Sequence, residues 1–561
     1  MSTRIENTPK KKSEQKKKTD YQNDETIESD AFNPAFFISL FQSLSPDYFI
    51  DQNGVARVTY QVDDIPSTFK INSPAMKSSI SRLARMWRLK KITSNKIDET
   101  IAEMNALAID SGKIFTCSIR SHRNTNGDVT IQLAKDSFCR ISSQGNGFRV
   151  SCTTDLKFDW LQKQQNLPIP ERISSSELIS ILLKINNLEK EDEIYLLIAY
   201  ILKSLVVDSG ANPIAILQGP QGSSKSTSSN NIKKLIDPTL PLLVSPPRCE
   251  AEVLTTANSS YFIAYDNLSG LSSDLADTFC RLSTGGGISK RALYSDDDEK
   301  SYNLLKSLLF NGIDEASNRP DFNDRAIIFH LKKIPFEKRV SEIVLKENFD
   351  NIYPKILGGL YALLSEVLKI LPNIRTEGLP RMTEYARFGI ALEKVLELEE
   401  GFFIKCYDEN IKEKIDTNFW NDDVCNAIFT YFYSFDKVPH PQFGRKPPAP
   451  EQNIFLGEYS IEGTADELRQ NLSTMKSSKN TFSHFPKTAK GFSEQLKRIE
   501  PLLNEKGIMI ERSRQSFRRL IRITAKIEDS TLKELRDPRV WSEVDHNFKS
   551  ALLDPENDLL A

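Results

Sequence analysis

Residues 214–227 read Ile-Ala-Ile-Leu-Gln-Gly-Pro-Gln-Gly-Ser-Ser-Lys-Ser-Thr, an apolar run, a turn rich in glycine and serine, and the start of a segment that favours helix. This order predicts the strand, turn and helix of a phosphate-binding P-loop. The glycines at 219 and 222 allow backbone N–H groups to point into one concavity, to which the helix N-terminus adds partial positive charge. We expect Lys225 to reach the outer phosphates of a nucleotide and Ser226 to bind Mg²⁺.

One position of the turn departs from the usual P-loop pattern, which has glycine directly before the lysine. That position is Ser224 here, so the amide donor is kept but the turn must accommodate a Cβ. The alternative, a Gly/Ser-rich surface turn that holds a lysine by chance, accounts for neither the apolar run before the turn nor the helical segment after it. The predicted nucleotide-binding residues are Gly219, Pro220, Gln221, Gly222, Ser223, Ser224, Lys225, Ser226 and Thr227.

Composition bounds the class of protein. A chain of 561 residues predicts about three or four domains. The 74 basic and 76 acidic residues nearly cancel, so only local clusters of charge can indicate nucleic acid. The seven cysteines form no Cys-x-x-Cys pair and the five histidines add no ligand spacing, which predicts reduced thiols and no zinc. No apolar run reaches the roughly 18–20 residues that span a bilayer, and we expect a cytoplasmic protein without a membrane partner.

Composition also changes along the chain, and the changes predict a multidomain α/β protein. The first 30 residues carry two lysine clusters and then acidic residues without an apolar cluster, so they should be disordered, either as a solvated tail or as one that touches nucleic acid or serves as an import address. The expected parts are a tail (1–30), an N-terminal α+β domain (31–170), a helical connector (171–208), an ATPase core (209–335), a helical lid (336–415), a C-terminal winged-helix DNA-binding domain (416–530) and a second tail (531–561).

A second candidate site residue ends the apolar strand 261–266. Its last residue, Asp266, is the carboxylate that a P-loop ATPase needs to hold Mg²⁺ with Ser226. The alternative is an ordinary strand that ends at an Asp-Asn turn. The following residue is Asn267, where a glutamate that polarises the attacking water would be expected. Since an amide cannot take a proton, either another carboxylate substitutes or hydrolysis is slow.

Two further residues complete the predicted catalytic set with Lys225 and Asp266. Asn311 ends a second buried strand and is expected to orient water or the γ-phosphate. Arg325 follows a short helix and is expected to reach into a neighbouring subunit's site, where it would stabilise charge in the transition state. A lone arginine is more often a solvated surface group, but the order of all four residues favours the catalytic interpretation.

In this order of motifs the chain resembles the AAA+ ATPases, and within them the superfamily 3-type replicative helicases and related ATPases of phages, plasmids and other mobile elements. The resemblance covers roughly residues 100–525. It implies a P-loop AAA+ core with a helical lid, ATP and Mg²⁺ as cofactors, and a homo-hexamer. Arg381 could be a second sensor arginine from the lid, which would add it to the nucleotide-binding residues, or merely a residue that starts a helix.

The resemblance also implies a DNA contact inside the ring. Segment 284–294 is similar to the segment that leads into a channel hairpin in such helicases, which makes Lys290 and Arg291 candidates for binding single-stranded DNA. The acidic run 296–299 near the expected hairpin tip would repel phosphates. A solvated loop of mixed charge is the alternative.

The C-terminal part has the clearest basic bias. A helical pattern at 491–505 is followed by two strand-like runs, and residues 487–526 include eleven basic and four acidic residues. This layout predicts a winged helix that binds duplex DNA, with protein contacts as the alternative. The candidate wing contacts are Arg512, Arg514, Arg518 and Arg519.

Together these patterns predict an ATP hydrolase, specifically a DNA helicase or translocase that serves replication of a mobile element or virus-like replicon. Primase or other replication proteins are expected as further partners. Two alternatives remain open. One is an origin-binding or loading ATPase switch that does not unwind, which Asn267 favours, and the other is a DNA-binding regulator with a degenerate nucleotide site.

Overall fold

The computed structural model describes residues 32–62, 65–206, 210–291, 299–303, 305–312, 320–433, 457–473, 485–515 and 518–527. The chain divides into two compact units, Met1–Cys117 and Ser118–Ala561. The predicted tails at 1–30 and 531–561 lie outside the described residues.

Within its described residues, the first unit combines three α-helices and a short 3₁₀ helix with a small mixed sheet. Its core is aromatic, with the rings of Phe41 and Tyr60 at 4.8 Å between centroids and Phe37, Ile80 and Met104 buried beside them. The sheet order is β3-β2-β1-β4, with β4 parallel to β1 and the other pairs antiparallel. The elements are α1 (Pro34–Phe41), β1 (Asp47–Asp51), β2 (Ala56–Val62), β3 (Ile65–Lys70), α2 (Pro74–Met86), α3 (Ser94–Asp110) and β4 (Ile114–Phe115).

The second unit opens with a four-stranded antiparallel sheet in the order β6-β7-β8-β9 and two helices. Every residue except Tyr195 is buried in the helix that directly precedes the P-loop strand. The elements are β5 (Cys117–Ser118) at the unit boundary, β6 (Ser121–Arg123), β7 (Val129–Ala134), β8 (Ser137–Ile141), β9 (Phe148–Ser151), β10 (Lys157–Phe158), α4 (Ser175–Ile185) and α5 (Glu193–Ser204).

The sequence places residues 118–170 in the N-terminal domain, whereas they pack with the second unit. The physical reason is Arg120, which is fully buried. Its guanidinium donates to the Asp237 carboxylate at 3.1 Å and to the carbonyl oxygens of Gln132 and Gln165 at 2.8 and 2.9 Å. Asp237 also binds Lys233 at 3.0 Å. Burial alone would raise the pKa of Asp237, but Lys233 and Arg120 outweigh it and lower the pKa to about 2.

At the centre of this unit lies a parallel sheet in the order β12-β15-β11-β16. Alternate residues of β11 belong to different cores: Ala215 and Leu217 pack with α5 and the P-loop helix, and Ile214 and Ile216 pack with the helices on the other side. Both faces of the sheet are therefore covered, as parallel sheets require. The elements are β11 (Ile214–Gln218), α6 (Lys225–Ile236), α7 (Glu250–Asn258), β12 (Phe262–Leu268), α8 (Ser273–Thr284), β13 (Gly287–Arg291), β14 (Glu299–Asn303), β15 (Ser307–Gly312), α9 (Pro320–Asn323) and β16 (Ala326–His330).

Strand β16 lies at the edge of the sheet, and a helix after it covers its free backbone groups. The amide of Asn410 accepts from the Ile328 N–H at 3.2 Å and donates to the Ile328 carbonyl at 2.6 Å. The helices of this predicted lid are α10 (Glu342–Ile370), α11 (Thr383–Val395) and α12 (Phe402–Asn421). Segment 342–373 is long and apolar enough to cross a membrane, but 67% of its apolar window is buried in the fold, as in the core helix of a soluble protein.

The C-terminal elements follow the order helix, strand, helix, helix, strand, strand, around a separate core that includes Cys425, Leu468, Phe492 and Ile523. Their antiparallel sheet has the order β17-β19-β18. The elements are α13 (Asp423–Tyr433), β17 (Gly457–Gly463), α14 (Ala465–Ser473), α15 (Ala489–Glu505), β18 (Ile508–Gln515) and β19 (Arg518–Ile527).

Candidate nucleotide-binding site

Residues 214–236 form a strand, a turn and a helix, as expected for the predicted P-loop: β11 ends at Gln218 and α6 begins at Lys225. Two residues of the turn have positive φ, Gly222 at +80° and Ser224 at +66°. A residue with a Cβ loses about 1–2 kcal/mol in the left-handed region. The serine at 224 is therefore held in a conformation that glycine adopts freely, and the turn keeps its shape at a local cost in strain.

The segment after β16 is hydrogen-bonded to the P-loop strand and turn. The Leu331 N–H donates to the Gln218 carbonyl at 2.9 Å, and the Ile334 N–H donates to the Gly222 carbonyl at 3.2 Å. The Asn187 side chain donates to the carbonyls of Ser223 and Lys332 at 3.3 and 2.6 Å. These contacts fix the turn before any ligand binds. Nothing in the sequence around Asn187 indicates this role.

Lys225 already lies inside the loop. Its Nζ donates to the carbonyl oxygens of Gly219 at 2.6 Å and Pro220 at 2.9 Å. Partial burial lowers the pKa of Lys225, and the negative charge of Asp266 opposes that shift. A phosphate that enters the loop would replace these two carbonyl oxygens as the partner of the amine.

Ser226 and Asp266 meet at the carboxyl edge of the parallel sheet. The Ser226 hydroxyl donates to Asp266 Oδ1 at 3.0 Å, and the Asp266 N–H is held by the Val244 carbonyl at 2.9 Å. Parallel strands bring their carboxyl ends to one edge, which explains how residues 40 positions apart come together. A hydroxyl and a carboxylate are oxygen donors of the kind that Mg²⁺ prefers. These two residues fit a magnesium site beside the P-loop.

Asn311 lies near the carboxyl end of β15, the strand between β12 and β11, and it is fully buried. Its Oδ1 accepts from the Asn267 N–H at 2.9 Å, and its Nδ2 donates to Ser229 Oγ of α6 at 2.9 Å. The side chain therefore connects the end of β12 to the P-loop helix. Asn267 itself is exposed and has a φ of +57°. In this arrangement Asn311 positions the residues around the site, and its expected contact with water or γ-phosphate stays a prediction.

Arg325 lies at the amino ends of the parallel strands, whereas the P-loop lies at their carboxyl ends. It directly precedes β16, and its carbonyl accepts from the N–H of Ile214 at the start of β11. The five residues of β11 separate the Arg325 carbonyl from the P-loop, a distance of roughly 16 Å along the strand. The Arg325 side chain is 13% exposed and is paired with Asp321 at 2.6 Å. It cannot reach the P-loop of its own chain in this conformation, so the predicted catalytic role requires a second subunit.

Arg381 joins Arg325 at this edge and not at the P-loop. Its guanidinium donates to Asp321 at 2.7 Å and to Asp324 at 3.0 Å. The sequence offers Arg381 as a nucleotide-binding residue from the lid. Both of its hydrogen bonds among the described residues go instead to the short helix α9 and the residue after it. The structure therefore brings together Lys225, Ser226, Asp266 and Asn311, but not Arg325 or Arg381.

The sequence did not reveal a cluster beside the P-loop strand. Donor atoms of Glu193, His330 and Glu413 lie within 4.8 Å of one another, a set that could hold a cation. Lys190 already pairs with Glu413. Burial lowers the pKa of His330, but hydrogen bonding to Glu193 and nearby carboxylates outweigh burial and raise it. The members are far apart in sequence, so no local motif predicts them.

The predicted channel segment forms an antiparallel hairpin of β13 and β14, in which Lys290 pairs with Lys300 and Arg291 with Glu299. Residues 292–298, which include most of the acidic run 296–299, lie outside the described part of the chain, as do the side chains of Lys290 and Arg291. Their contact with single-stranded DNA stays a prediction.

The four predicted wing arginines fall into two groups. Arg512 binds Glu500 at 2.7 Å, and Arg518 lies 4.0 Å from Glu467. Arg514 and Arg519 are exposed and pair directly across the β18–β19 ladder. Within the described residues neither has an ion pair. Like charges that face each other across strands destabilise a sheet, so this pair favours an anionic partner.

Comparison with known proteins adds two family matches. The model of the actinomycete integrative conjugative element replication protein matches residues 179–407. The model of the AICE RepA C-terminal domain matches residues 454–536. None of the curated proteins matches this chain.

Two kinds of solved structure show distant likeness. The A form apo structure of the NrS-1 C-terminal region is 10% identical with a TM-score of 0.37, covering 89% of this chain and 100% of that one. The X-ray structure of JCV helicase is 14% identical with a TM-score of 0.21, covering 41% of this chain and 63% of that one. Neither likeness identifies the fold.

The two family matches span the P-loop, the strands and helices around it, and the C-terminal elements from β17 to β19. Over these segments the chain matches the replication proteins of actinomycete integrative conjugative elements.

Proposed function

We propose that this protein is the replication ATPase of a mobile genetic element, an AAA+-type enzyme that hydrolyses ATP and uses the energy to move along or unwind DNA. The observation that carries the proposal is the 3.0 Å contact between Ser226 and Asp266 beside Lys225. A P-loop lysine, a hydroxyl on the first helical turn and a carboxylate from another strand end are the groups that P-loop ATPases use to bind Mg²⁺ and ATP. The family matches support the role in replication.

Each residue of the site has a distinct part in this proposal. Ser226 and Asp266 would hold Mg²⁺, which supplies charge neutralisation at the phosphates. Lys225 exchanges its two loop carbonyls for phosphate oxygens, and the amides of the turn donate to the same group. Asn311 keeps the end of β12 at a fixed distance from α6. Together these residues orient the triphosphate for attack by water.

Arg325 supports the expectation of a homo-oligomer, with a hexameric ring as our proposal. It lies at the edge of the sheet opposite its own P-loop, and it follows a short helix where its guanidinium is held by Asp321. In a head-to-tail ring this edge of one subunit can face the P-loop of the next. Arg325 would then exchange Asp321 for the charge that develops on the phosphate.

The C-terminal elements support duplex binding. Their order, with three helices and a three-stranded antiparallel sheet that ends in a β-hairpin, is the order we expect for a winged helix. Arg514 and Arg519 of the hairpin carry the phosphate contacts in this proposal, with Arg512 and Arg518 beside them. The β13–β14 hairpin carries the proposed contact with single-stranded DNA.

A second candidate function is an origin-binding or loading ATPase that acts as a nucleotide switch and does not unwind DNA. The observation that favours it is Asn267, an exposed amide at the position after Asp266, whose N–H is held by Asn311. An amide cannot accept a proton from water, so turnover would be slow unless another carboxylate substitutes.

The test is ATP turnover by the full chain with and without single-stranded DNA, together with an unwinding assay on a forked duplex. Lys225→Ala should lower turnover by about a hundredfold or more, as expected when a charge contact to the transition state is lost. Lys333→Ala removes an exposed lysine nearby and should have no effect. Stimulation by single-stranded DNA with unwinding supports the motor, and turnover without either supports the switch. Turnover that is unchanged in Lys225→Ala contradicts both.

A further inference from the structure

We propose that Arg339 is a phosphate-binding residue of the nucleotide site in its own chain, where it contacts the terminal phosphates of ATP beside Lys225. The inference rests on the proposed function. It assigns to Arg339 the role for which the sequence offers Arg381. The argument has three parts: where the guanidinium lies, what holds it there, and which partners it has.

The Arg339 guanidinium lies directly against the P-loop backbone. A Cβ added to Gly222 would stand 2.6 Å from a terminal guanidinium nitrogen and 3.2 Å from Cζ. The φ of +80° at Gly222 independently favours glycine. Gly222 therefore gives the turn its shape and also leaves the space that the arginine occupies. Gly222 and Gln221 are exposed, so the guanidinium lies against a part of the loop that solvent and ligands can reach.

Local structure holds Arg339 at this place. A 3₁₀ turn spans Phe336–Lys338, and the Arg339 N–H closes it on the Phe336 carbonyl at 3.2 Å. The guanidinium lies over the Phe336 ring, 5.9 Å from its centroid. Its Nε donates weakly to the Ile334 carbonyl at 3.4 Å, and the Ile334 N–H is bonded to Gly222. The arginine is thus connected to the same loop that it approaches.

Most N–H donors of this guanidinium have no acceptor among the described residues. An arginine has five N–H donors, and the one hydrogen bond of this side chain within the described residues is that long contact to a carbonyl. No carboxylate of the described residues lies within ion-pair distance of the Arg339 guanidinium. Arg325 and Arg381, in contrast, are each bound to a carboxylate.

Two cations, Arg339 and Lys225, therefore lie along one short loop, which an anion would stabilise. A guanidinium fork matches two phosphate oxygens at once, and it is suited to a group at the open end of the loop. The bound triphosphate would present its distal phosphate there. A charged hydrogen bond of this kind corresponds to about tenfold or more in affinity.

The experiment measures binding of ATP, ADP, AMP and inorganic tripolyphosphate to the full chain by calorimetry in the presence of Mg²⁺. The variants are Arg339→Ala, Arg339→Lys and the matched control Lys338→Ala, which removes an exposed cation from the same turn. We expect Arg339→Ala to weaken ATP and tripolyphosphate about tenfold or more, ADP less, and AMP not at all. Arg339→Lys should fall between Arg339→Ala and wild type, because a lysine keeps the charge without the fork.

The outcomes distinguish this inference from the proposed function. Wild type that binds neither ATP nor tripolyphosphate overturns both. Wild type that binds ATP, with Arg339→Ala binding as tightly as Lys338→Ala, overturns the inference alone. A loss of thermal stability in ligand-free Arg339→Ala, with all ligands weakened equally, also overturns it, because that result indicates a structural role. The selective loss of ligands with a terminal phosphate supports it.

Discussion

The wing provides the most quantitative prediction, because Arg514 and Arg519 have no ion pair within the described residues, whereas Arg512 and Arg518 beside them each lie near a carboxylate. The change is the double variant Arg514→Ala/Arg519→Ala. The matched control, Arg469→Ala/Arg522→Ala, also removes two positive charges, but from arginines that are paired with carboxylates. Arg469 is paired with Asp466 at 2.9 Å and Arg522 with Glu462 at 2.6 Å. If net charge alone determined affinity for DNA, both variants would behave alike.

The magnitude follows from counterion release. Each phosphate contact contributes about 0.9 to the slope of log affinity against log salt for duplex DNA. Two lost contacts lower that slope by about 1.8. Between 50 and 200 mM salt, a slope difference of 1.8 changes the ratio of wild-type to variant affinity by roughly twelvefold. The variant should bind more weakly at the low end of the range, and the gap should narrow as salt rises.

The assay is fluorescence anisotropy with a labelled duplex of about 20 base pairs, titrated at a series of salt concentrations. ATP turnover without DNA should stay at the wild-type rate in both variants, since neither pair of side chains touches the nucleotide site. The reasoning is refuted if the double variant keeps the wild-type salt slope, or if the paired control loses the same slope. The first result would favour a wing that contacts protein.

Three further predictions concern the nucleotide site and its support. Arg325→Ala should retain ATP binding but lose turnover, and mixing it with Lys225→Ala should restore part of the activity through mixed interfaces. If mixed oligomers are shown to form and no activity returns, that result would argue against action of Arg325 in a neighbouring subunit. Asn267→Glu should raise turnover measured by phosphate release if the native site lacks a base, whereas an unchanged rate indicates that another carboxylate already serves. Asp237→Asn should lower the free energy of unfolding by about 3–5 kcal/mol in denaturant titrations, because two buried cations lose their counter-charge; a loss under about 1 kcal/mol would contradict that role.

The sequence predicts the strand, turn and helix of residues 214–236 well because their signals are local. The apolar strand, the glycines and the helix that begins at Lys225 all lie within about twenty residues, and the structure has them at the predicted positions. The approach of Ser226 to Asp266 follows from one further rule, that parallel strands bring their carboxyl ends to the same edge. Ser224 shows the limit of the local signal: the sequence indicates that a Cβ must be accommodated, and only the structure gives the left-handed φ.

The other contacts could not be predicted because they depend on packing between distant segments. Arg339 carries no motif, and its proximity to Gly222 depends on how the chain turns after β16. Arg381 lies in the predicted lid, which favoured a nucleotide contact, but its carboxylate partners belong to α9 and the residue after it. The charge count of the C-terminal hairpin likewise overstated the free positive charge, since it could not show that Arg512 is bound to Glu500.

The buried contact of Arg120 with Asp237 has a consequence for how this protein can be shortened and how it folds. The two residues are 117 positions apart, and Arg120 is synthesised before any strand of the parallel sheet. A protein that begins near residue 171, at the start of the predicted connector, would lose Arg120, which would leave an empty space and remove one of the two cations that bind Asp237 at the end of α6. One that begins at residue 118 would retain both partners. During synthesis, the parallel sheet and its helices must therefore pack with a segment made well before them, so their folding depends on a contact of long sequence separation, which slows folding.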